Sequence, residues 1–324
     1  GINAKIRKNP KRVIFAEGED ENMLKAAIEF GRNKLGVPIL IGAENRVKEQ
    51  LKKIGLDENY KIEIVNSTNK EKRERYVKHL YKKLQREGQL ERDVDRLVRN
   101  DRIAWGSSMI ACKDADAMVT GNIRHYAASI EKLKKVVDAR PGEEIFGMTM
   151  IISKGKTILV ADTNVTELPS ADRLINISKS CVRIARLFGF EPKVAFLSHS
   201  TFGKPLSRNT RHVRDAIEKL KKEKVDFDFD GEMQPDVALN PIYQEIYPFS
   251  KIVGNANVLI MPALHSAAIS TKLMKVFGGG KNIGPLLIGL GQPIEVAPLR
   301  ASTSEILNLA SIAAYSSDVI DYSD

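Results

Sequence analysis

Short runs rich in β-branched residues take turns along this chain with longer stretches of helical spacing, and that alternation restricts the fold more than any other feature. RVIFAEG, PILIGA, KIEIVN, DAMVTGN, KTILVADTNV, KVAFLSHS, VDFDFDGEM, NVLIMPAL and PLLIGLG read as strands. Helical spacing falls between them, notably at 21–34, 70–99, 129–138, 170–188, 205–224 and 266–277. Strand and helix in alternation predict an α/β fold of mainly parallel sheets covered by helices. Parallel strands deliver their following loops to one edge of the sheet, so a ligand is expected at that carboxyl edge. Several strands end there in polar residues: Glu17 to Asp20, Gly121-Asn122, Asp162 to Asn164, Ser198 to Thr201, and Asp230 to Glu232.

At 324 residues the chain exceeds the usual size of one domain. The linker-like turn signal is DARPGEE at 138–144, where a domain boundary is expected. The net charge of +10 raises the question of nucleic acid, and its location answers it. The stretch 70–102 holds twelve Lys/Arg against seven Asp/Glu, and 204–224 holds eight against three. Apolar residues recur at helical spacing within both (Tyr76, Leu80, Leu84; Val213, Ile217, Leu220), so the charges read as the solvated faces of amphipathic helices. Neither stretch carries the stacking aromatics or the groove-reading motif of a nucleic-acid binder. A milder reading is that the positive field attracts an anionic ligand such as a nucleotide phosphate. No apolar run approaches the roughly 18 residues that a membrane span needs. Cys112 and Cys181 lack zinc-ligand spacing and read as core thiols of a reducing, cytoplasmic setting. The chain opens Gly-Ile without an initiator methionine, which reads as a piece of something longer.

Several ordered segments carry a family resemblance. RVIFAEGEDENMLKAA, DADAMVTGN, ADTNVTELPSADRLINIS, VAFLSHSTFG, DGEMQPDVAL and the closing GQPIEVAPLRAST together resemble the phosphate acetyltransferase and butyryltransferase family over nearly the whole chain. The resemblance implies two α/β domains with the active cleft between them: 1–138 completed by 296–324, and 139–295 inserted. The departures fall where that family does its chemistry. Its closing segment reads V-N-D-L-S-R-G and is followed by a helix with an essential aspartate; here Arg300 is kept, Leu299 replaces the serine and Ile306 the aspartate. Acyl transfer needs a base to take the thiol proton and donors for the attacked carbonyl oxygen. Leucine and isoleucine supply neither. Glu305 or Ser304 could replace the base only after a shift of helical register.

The segment GNIRHYAAS and the opening KRVIFAEGEDE are similar to the C-terminal domain of the large bacterial NADP-dependent malic enzymes. That resemblance implies an acetyl-CoA-sensing, oligomerising module without acyltransferase activity of its own. A catalytic domain in the same polypeptide would hold NADP and a divalent metal. The alternatives are an active phosphate acetyltransferase and a purely oligomerising scaffold.

Candidate binding residues for acetyl-CoA or phosphate follow from motif matches and strand ends. Ser198, Ser200 and Thr201 could cradle a phosphate oxygen, or cap a helix around Pro205. Arg300 could hold a phosphate in a bidentate contact, or a carboxylate of the protein. Asn122 and Arg124 are ligand groups or a satisfied loop pair; Lys272 matters through its motif match and is otherwise a surface lysine. Asp230 and Glu232 share a strand face and could form a carboxylate pair or bind Mg²⁺, but turn and interdomain hydrogen bonding is the favoured role. No metal ligand set is expected, and no G-x-G-x-x-G opens a helix to hold NADP.

Overall fold

The computed structural model describes residues 2–56, 61–205 and 210–322. In chain order its strands are β1 (Lys11–Phe15), β2 (Gly36–Ile41), β3 (Glu63–Val65), β4 (Ala117–Gly121), β5 (Phe146–Ser153), β6 (Lys156–Ala161), β7 (Lys193–Leu197), β8 (Asp228–Met233), β9 (Val258–Ile260), β10 (Lys281–Ile288) and β11 (Ile294–Ala297). The chain divides into two compact units, one of residues up to 141 and from 290 onward, the other of 142–289.

In the first unit five strands run in the order β11-β4-β1-β2-β3, every neighbouring pair parallel. The chain leaves β1 toward β2 and β3 on one side and returns on the other as β4, so the strand order reverses between β1 and β4. At such a reversal two loops part in opposite directions and leave a crevice at the carboxyl edge. The strand interiors are apolar on both faces (Val13, Ile14, Phe15; Met118, Val119), as a sheet covered on both sides requires. The covering helix Glu21–Arg32 starts at Asp20, whose carboxylate accepts the Met23 N–H at 2.9 Å, and buries Met23, Leu24, Ala27, Ile28 and Phe30. The last helix, Thr303–Val319, opens with a reciprocal capping box between Ser302 and Glu305 and buries Ile306, Leu309 and Ala313.

The second unit has six strands in the order β10-β5-β6-β9-β7-β8. The β6-β9-β7-β8 part is parallel, while β10, β5 and β6 pair antiparallel.

Several expectations need correction. Strands β5 and β11 are absent from the sequence reading. β5 joins β6 through Lys154-Gly155, both with positive φ (50° and 74°), which is the two-residue turn that suits the twist of a hairpin. The inserted unit ends at Gly289 rather than 295, because Leu290 bridges to Ala139 and β11 pairs with β4. The helix expected over 70–99 is two, Lys70–Leu84 and Glu91–Asn100, parted at Gly88 with φ 81°. The helix expected from 205 begins at Arg211; residues 206–209 of that expectation lie outside the described ones. Cys181 is buried and Cys112 half-buried, and burial pushes both thiols up, away from thiolate chemistry.

Candidate functional site

The carboxyl edge where β1 and β4 lie side by side is built around a carboxylate. Glu17, two residues beyond β1, has no exposed surface. Its Oε1 accepts from the Thr120 hydroxyl at 3.0 Å and its Oε2 from the Gly121 N–H at 2.9 Å, so it ties the ends of the two strands together. Arg124 Nη2 stands 3.8 Å from Oε1. Burial pushes the Glu17 carboxyl up to about 7, against the opposing pull of Arg124 and the two hydrogen bonds. The group is therefore poised to gain or lose a proton near neutrality.

Asn122 continues this edge. It takes the left-handed conformation (φ 66°), which asparagine tolerates better than most residues. Its Nδ2 donates to Asp20 at 2.6 Å, and its carbonyl accepts the Arg300 N–H at 2.9 Å. Gly121 has φ 111°, and a Cβ there would lie 2.4 Å from the Ala297 carbonyl oxygen; the close approach of β4 to the end of β11 requires glycine. Asn122 Oδ1, Arg124 Nη1 and Ser129 Oγ are buried without a hydrogen-bond partner among the described residues. Such atoms in a native interior are few, and these three fall within eight residues of sequence beyond one strand end, while others are spread over both units.

Arg300 is brought beside Asn122 by its backbone, with its own side chain exposed and φ 58°. Leu299 is 44% exposed, whereas Ile306 is fully buried. Glu305 accepts both the N–H and the hydroxyl of Ser302 at 2.9 Å, so its carboxylate is committed to the helix cap.

The second unit holds a separate polar network at the ends of β7 and β8. Ser198, Ser200 and Thr201 are all buried. Ser200 Oγ donates to Glu232 Oε1 at 2.5 Å and lies 3.1 Å from Ser198 Oγ, and Thr201 Oγ1 accepts the Gln234 N–H at 3.2 Å. Glu232, 2% exposed, also receives Arg214 Nη1 at 3.2 Å. The three hydroxyls are thus spoken for inside their own unit, and the helix-cap alternative around Pro205 falls partly outside the described residues. Asp230 and Glu232 form no pair: Asp230 accepts from the Ser250 hydroxyl and the Lys251 N–H, both at 3.0 Å. Asp162, also buried, accepts the N–H groups of Gly147, Asn164, Val165 and Thr166 and holds the turn after β6. Lys272 sits exposed on the helix Leu264–Phe277, with no hydrogen bond or ion pair among the described residues.

Of the expected residues, the structure gathers Asn122, Arg124 and the Arg300 backbone into one corner of the first unit, and Ser198, Ser200 and Thr201 into one corner of the second. The sequence offers Glu17 only as one of several strand-end residues and Glu232 only as a partner for Asp230, whereas Glu232 binds Ser200 and Arg214. Their place at strand ends is visible in the sequence; their complete burial is not.

Comparison with known proteins agrees with this architecture. A family profile described as phosphate acetyl/butaryl transferase matches residues 1–314. An NADP-dependent malic enzyme of Rhizobium meliloti is 42% identical over 315 residues, 97% of this chain and 41% of the relative; the chain thus spans about two-fifths of that relative's length. A phosphate acetyltransferase of Clostridium acetobutylicum is 31% identical, with 94% of both chains covered. A solved phosphotransacetylase of Streptococcus pyogenes superposes with a TM-score of 0.88 at 28% identity, covering 98% of this chain and 97% of its own. Fold, ordered motifs and profile converge, and the chain belongs to the phosphate acetyl/butaryl transferase family.

Proposed function

We propose that this chain is the regulatory and oligomerising part of an NADP-dependent malic enzyme, that it binds acetyl-CoA as an effector, and that it does not transfer acyl groups. The observation that carries the reading is the state of the closing segment. Acyl transfer between an acyl phosphate and coenzyme A calls for a hydroxyl donor and a carboxylate base; a leucine and a core-buried isoleucine stand in their places. Glu305 is captive in the capping box, which counts against its service as a substitute base. On this reading NADP, a divalent metal and malate belong to the remainder of the polypeptide.

The binding function rests on charge without catalysis. Coenzyme A is a multiply charged anion, and Arg300 is exposed with no ion-pair partner among the described residues. Arg124 Nη1, in the loop beyond β4 that also holds Asn122, is buried without a hydrogen-bond partner among the described residues. Guanidinium groups suit phosphate oxygens through paired N–H donors. The hydroxyls of Ser198, Ser200 and Thr201 serve on this reading to shape their loop, and Lys272 adds positive charge.

A direct assay of thioester formation from acetyl phosphate and coenzyme A tests the absence of chemistry. Loss of the general base alone removes a factor of about 10² to 10⁴. Turnover on the order of 10 per second, ordinary for an enzyme, would overturn the reading.

A further inference from the structure

Glu17 and Arg124 face one another as an unfinished ion pair. Arg124 Nη2 stops 3.8 Å from Glu17 Oε1, while the carboxylate is already held by the Thr120 hydroxyl at 3.0 Å and the Gly121 N–H at 2.9 Å. Arg124 Nη1 is buried without a hydrogen-bond partner among the described residues. A guanidinium offers five N–H donors in a planar fork, and this one neither grips its carboxylate nor spends its other nitrogen. A quarter of the Arg124 side chain is exposed, whereas the Glu17 side chain is not exposed at all. An anion arriving from solvent therefore meets the arginine and not the carboxylate.

The other charges around Glu17 are engaged elsewhere. Arg102, the first residue of the helix Arg102–Ala111, pulls on Glu17 less than Arg124 does and pairs with Glu19 at 3.0 Å. Glu19, in the same turn as Glu17, also accepts the Ala43 N–H at 2.8 Å and pairs with Arg46 at 3.6 Å. Asp20 accepts from the Met23 N–H and from Asn122 Nδ2. From the closing segment, the Arg300 N–H bonds the Asn122 carbonyl and Glu305 is held in its helix cap.

Ionised Glu17 and an incoming anion thus compete for one guanidinium. With the carboxyl ionised, the anion meets a buried like charge across Arg124, in an interior that screens it poorly. With the carboxyl protonated, Arg124 faces the anion with its charge uncompensated. The Thr120 hydroxyl can turn from donor to acceptor, so the added proton need not lack a partner. Burial holds the Glu17 carboxyl at about 7, which puts this exchange in the neutral range.

We propose that the first unit takes up an oxyanion at Arg124 together with a proton at Glu17, so that binding tightens as pH falls. The proposal rests on the reading that Arg124 belongs to the effector site and adds how that site is regulated. Glu17 is a positioning residue in it, acting on the ligand through the arginine.

Carbon NMR of the 324-residue chain, with glutamate labelled at the carboxyl carbon, tests this; the resonance missing from Glu17→Gln is that of Glu17. Sulfate, which does not titrate in the neutral range, is the first probe and acetyl-CoA the second. Each is expected to raise the Glu17 midpoint by about one pH unit, the effect of a nearby like charge. Sulfate affinity should then fall about fivefold from pH 6 to pH 8 in the parent and stay level in Glu17→Gln. The phosphate monoester of acetyl-CoA titrates near 6 in either protein, so for that probe the difference between parent and variant is read. Arg124→Gln keeps the carboxyl and should abolish the anion-dependent movement, which serves as the test if Glu17→Gln fails to fold. A Glu17 midpoint that neither anion moves, or one that moves equally in Arg124→Gln, overturns the proposal. If sulfate moves the midpoint and acetyl-CoA does not bind, the proposal stands and the effector reading fails. If acetyl-CoA binds and Glu17 is unmoved by both anions, the effector reading stands and the proposal fails.

Discussion

Glu17 shows how one residue organises a site. A carboxylate without exposed surface is expensive to ionise, and two hydrogen bonds and a guanidinium 3.8 Å away do not fully offset the burial. With its carboxyl raised from 4.5 to about 7, the folded chain binds a proton that the unfolded chain has released throughout that interval. Its contribution to stability is therefore fully present below pH 4.5, falls as pH rises toward 7 and is flat above it. Replacing the carboxylate by an amide removes this dependence. Glu17→Gln is expected to gain stability relative to the parent by about 2 kcal/mol more at pH 8 than at pH 5, measured by urea unfolding at both. An equal effect at the two pH values would mean that Glu17 is already ionised at pH 5. The strand-end position of Glu17, Asn122 and Arg124 is legible in the sequence. The burial of Glu17 depends on β4 lying against β1, a pairing between residues more than a hundred positions apart.

At the scale of elements, what was legible followed from local rules, and what was missed followed from pairing. The helix Glu21–Arg32 announces itself through Asp20 and its apolar period, and β1, β4 and β7 through compact β-branched runs. β5, with the sequence FGMTMIIS, lacks a clear alternation because both faces are buried, and the Lys-Gly turn that follows is a weaker hairpin signal than Asn-Gly. β11 is four residues whose strand character comes from its parallel partner β4. The split at Gly88 is the work of one left-handed residue between two helices of similar charge. The last helix carries the most consequential cap. Ser302→Ala removes the acceptor for the Glu305 N–H and one donor to its carboxylate, and is expected to cost about 1 kcal/mol. Thermal unfolding should show the loss as a lower melting temperature. An unchanged melting temperature would show that Glu305 is not held by the cap and would reopen its candidacy as a base.

The whole molecule has the fold of the phosphate acetyl/butaryl transferase family, with Leu299 and the buried Ile306 in its closing segment. Each unit has its own sheet and its own buried carboxylate at a carboxyl edge: Glu17 in one, Glu232 in the other. No helix among the described residues is long and apolar enough to cross a membrane. The chain covers about two-fifths of the malic enzyme it resembles and nearly all of the phosphate acetyltransferase. Arg300 is exposed beside the strand end that carries Asn122, and in the function proposed above acetyl-CoA binds at this corner. The direct measurement is the melting temperature of the chain with and without millimolar acetyl-CoA, for the parent and for Arg300→Ala. A ligand that binds only the folded state raises the melting temperature by mass action. Alanine at φ 58° is no more strained than arginine, so the substitution removes the guanidinium with little other change. The parent is expected to show a clear rise and Arg300→Ala a smaller one, by the loss of a charged contact worth roughly 1.5 to 3 kcal/mol. No rise in the parent would contradict the proposed binding.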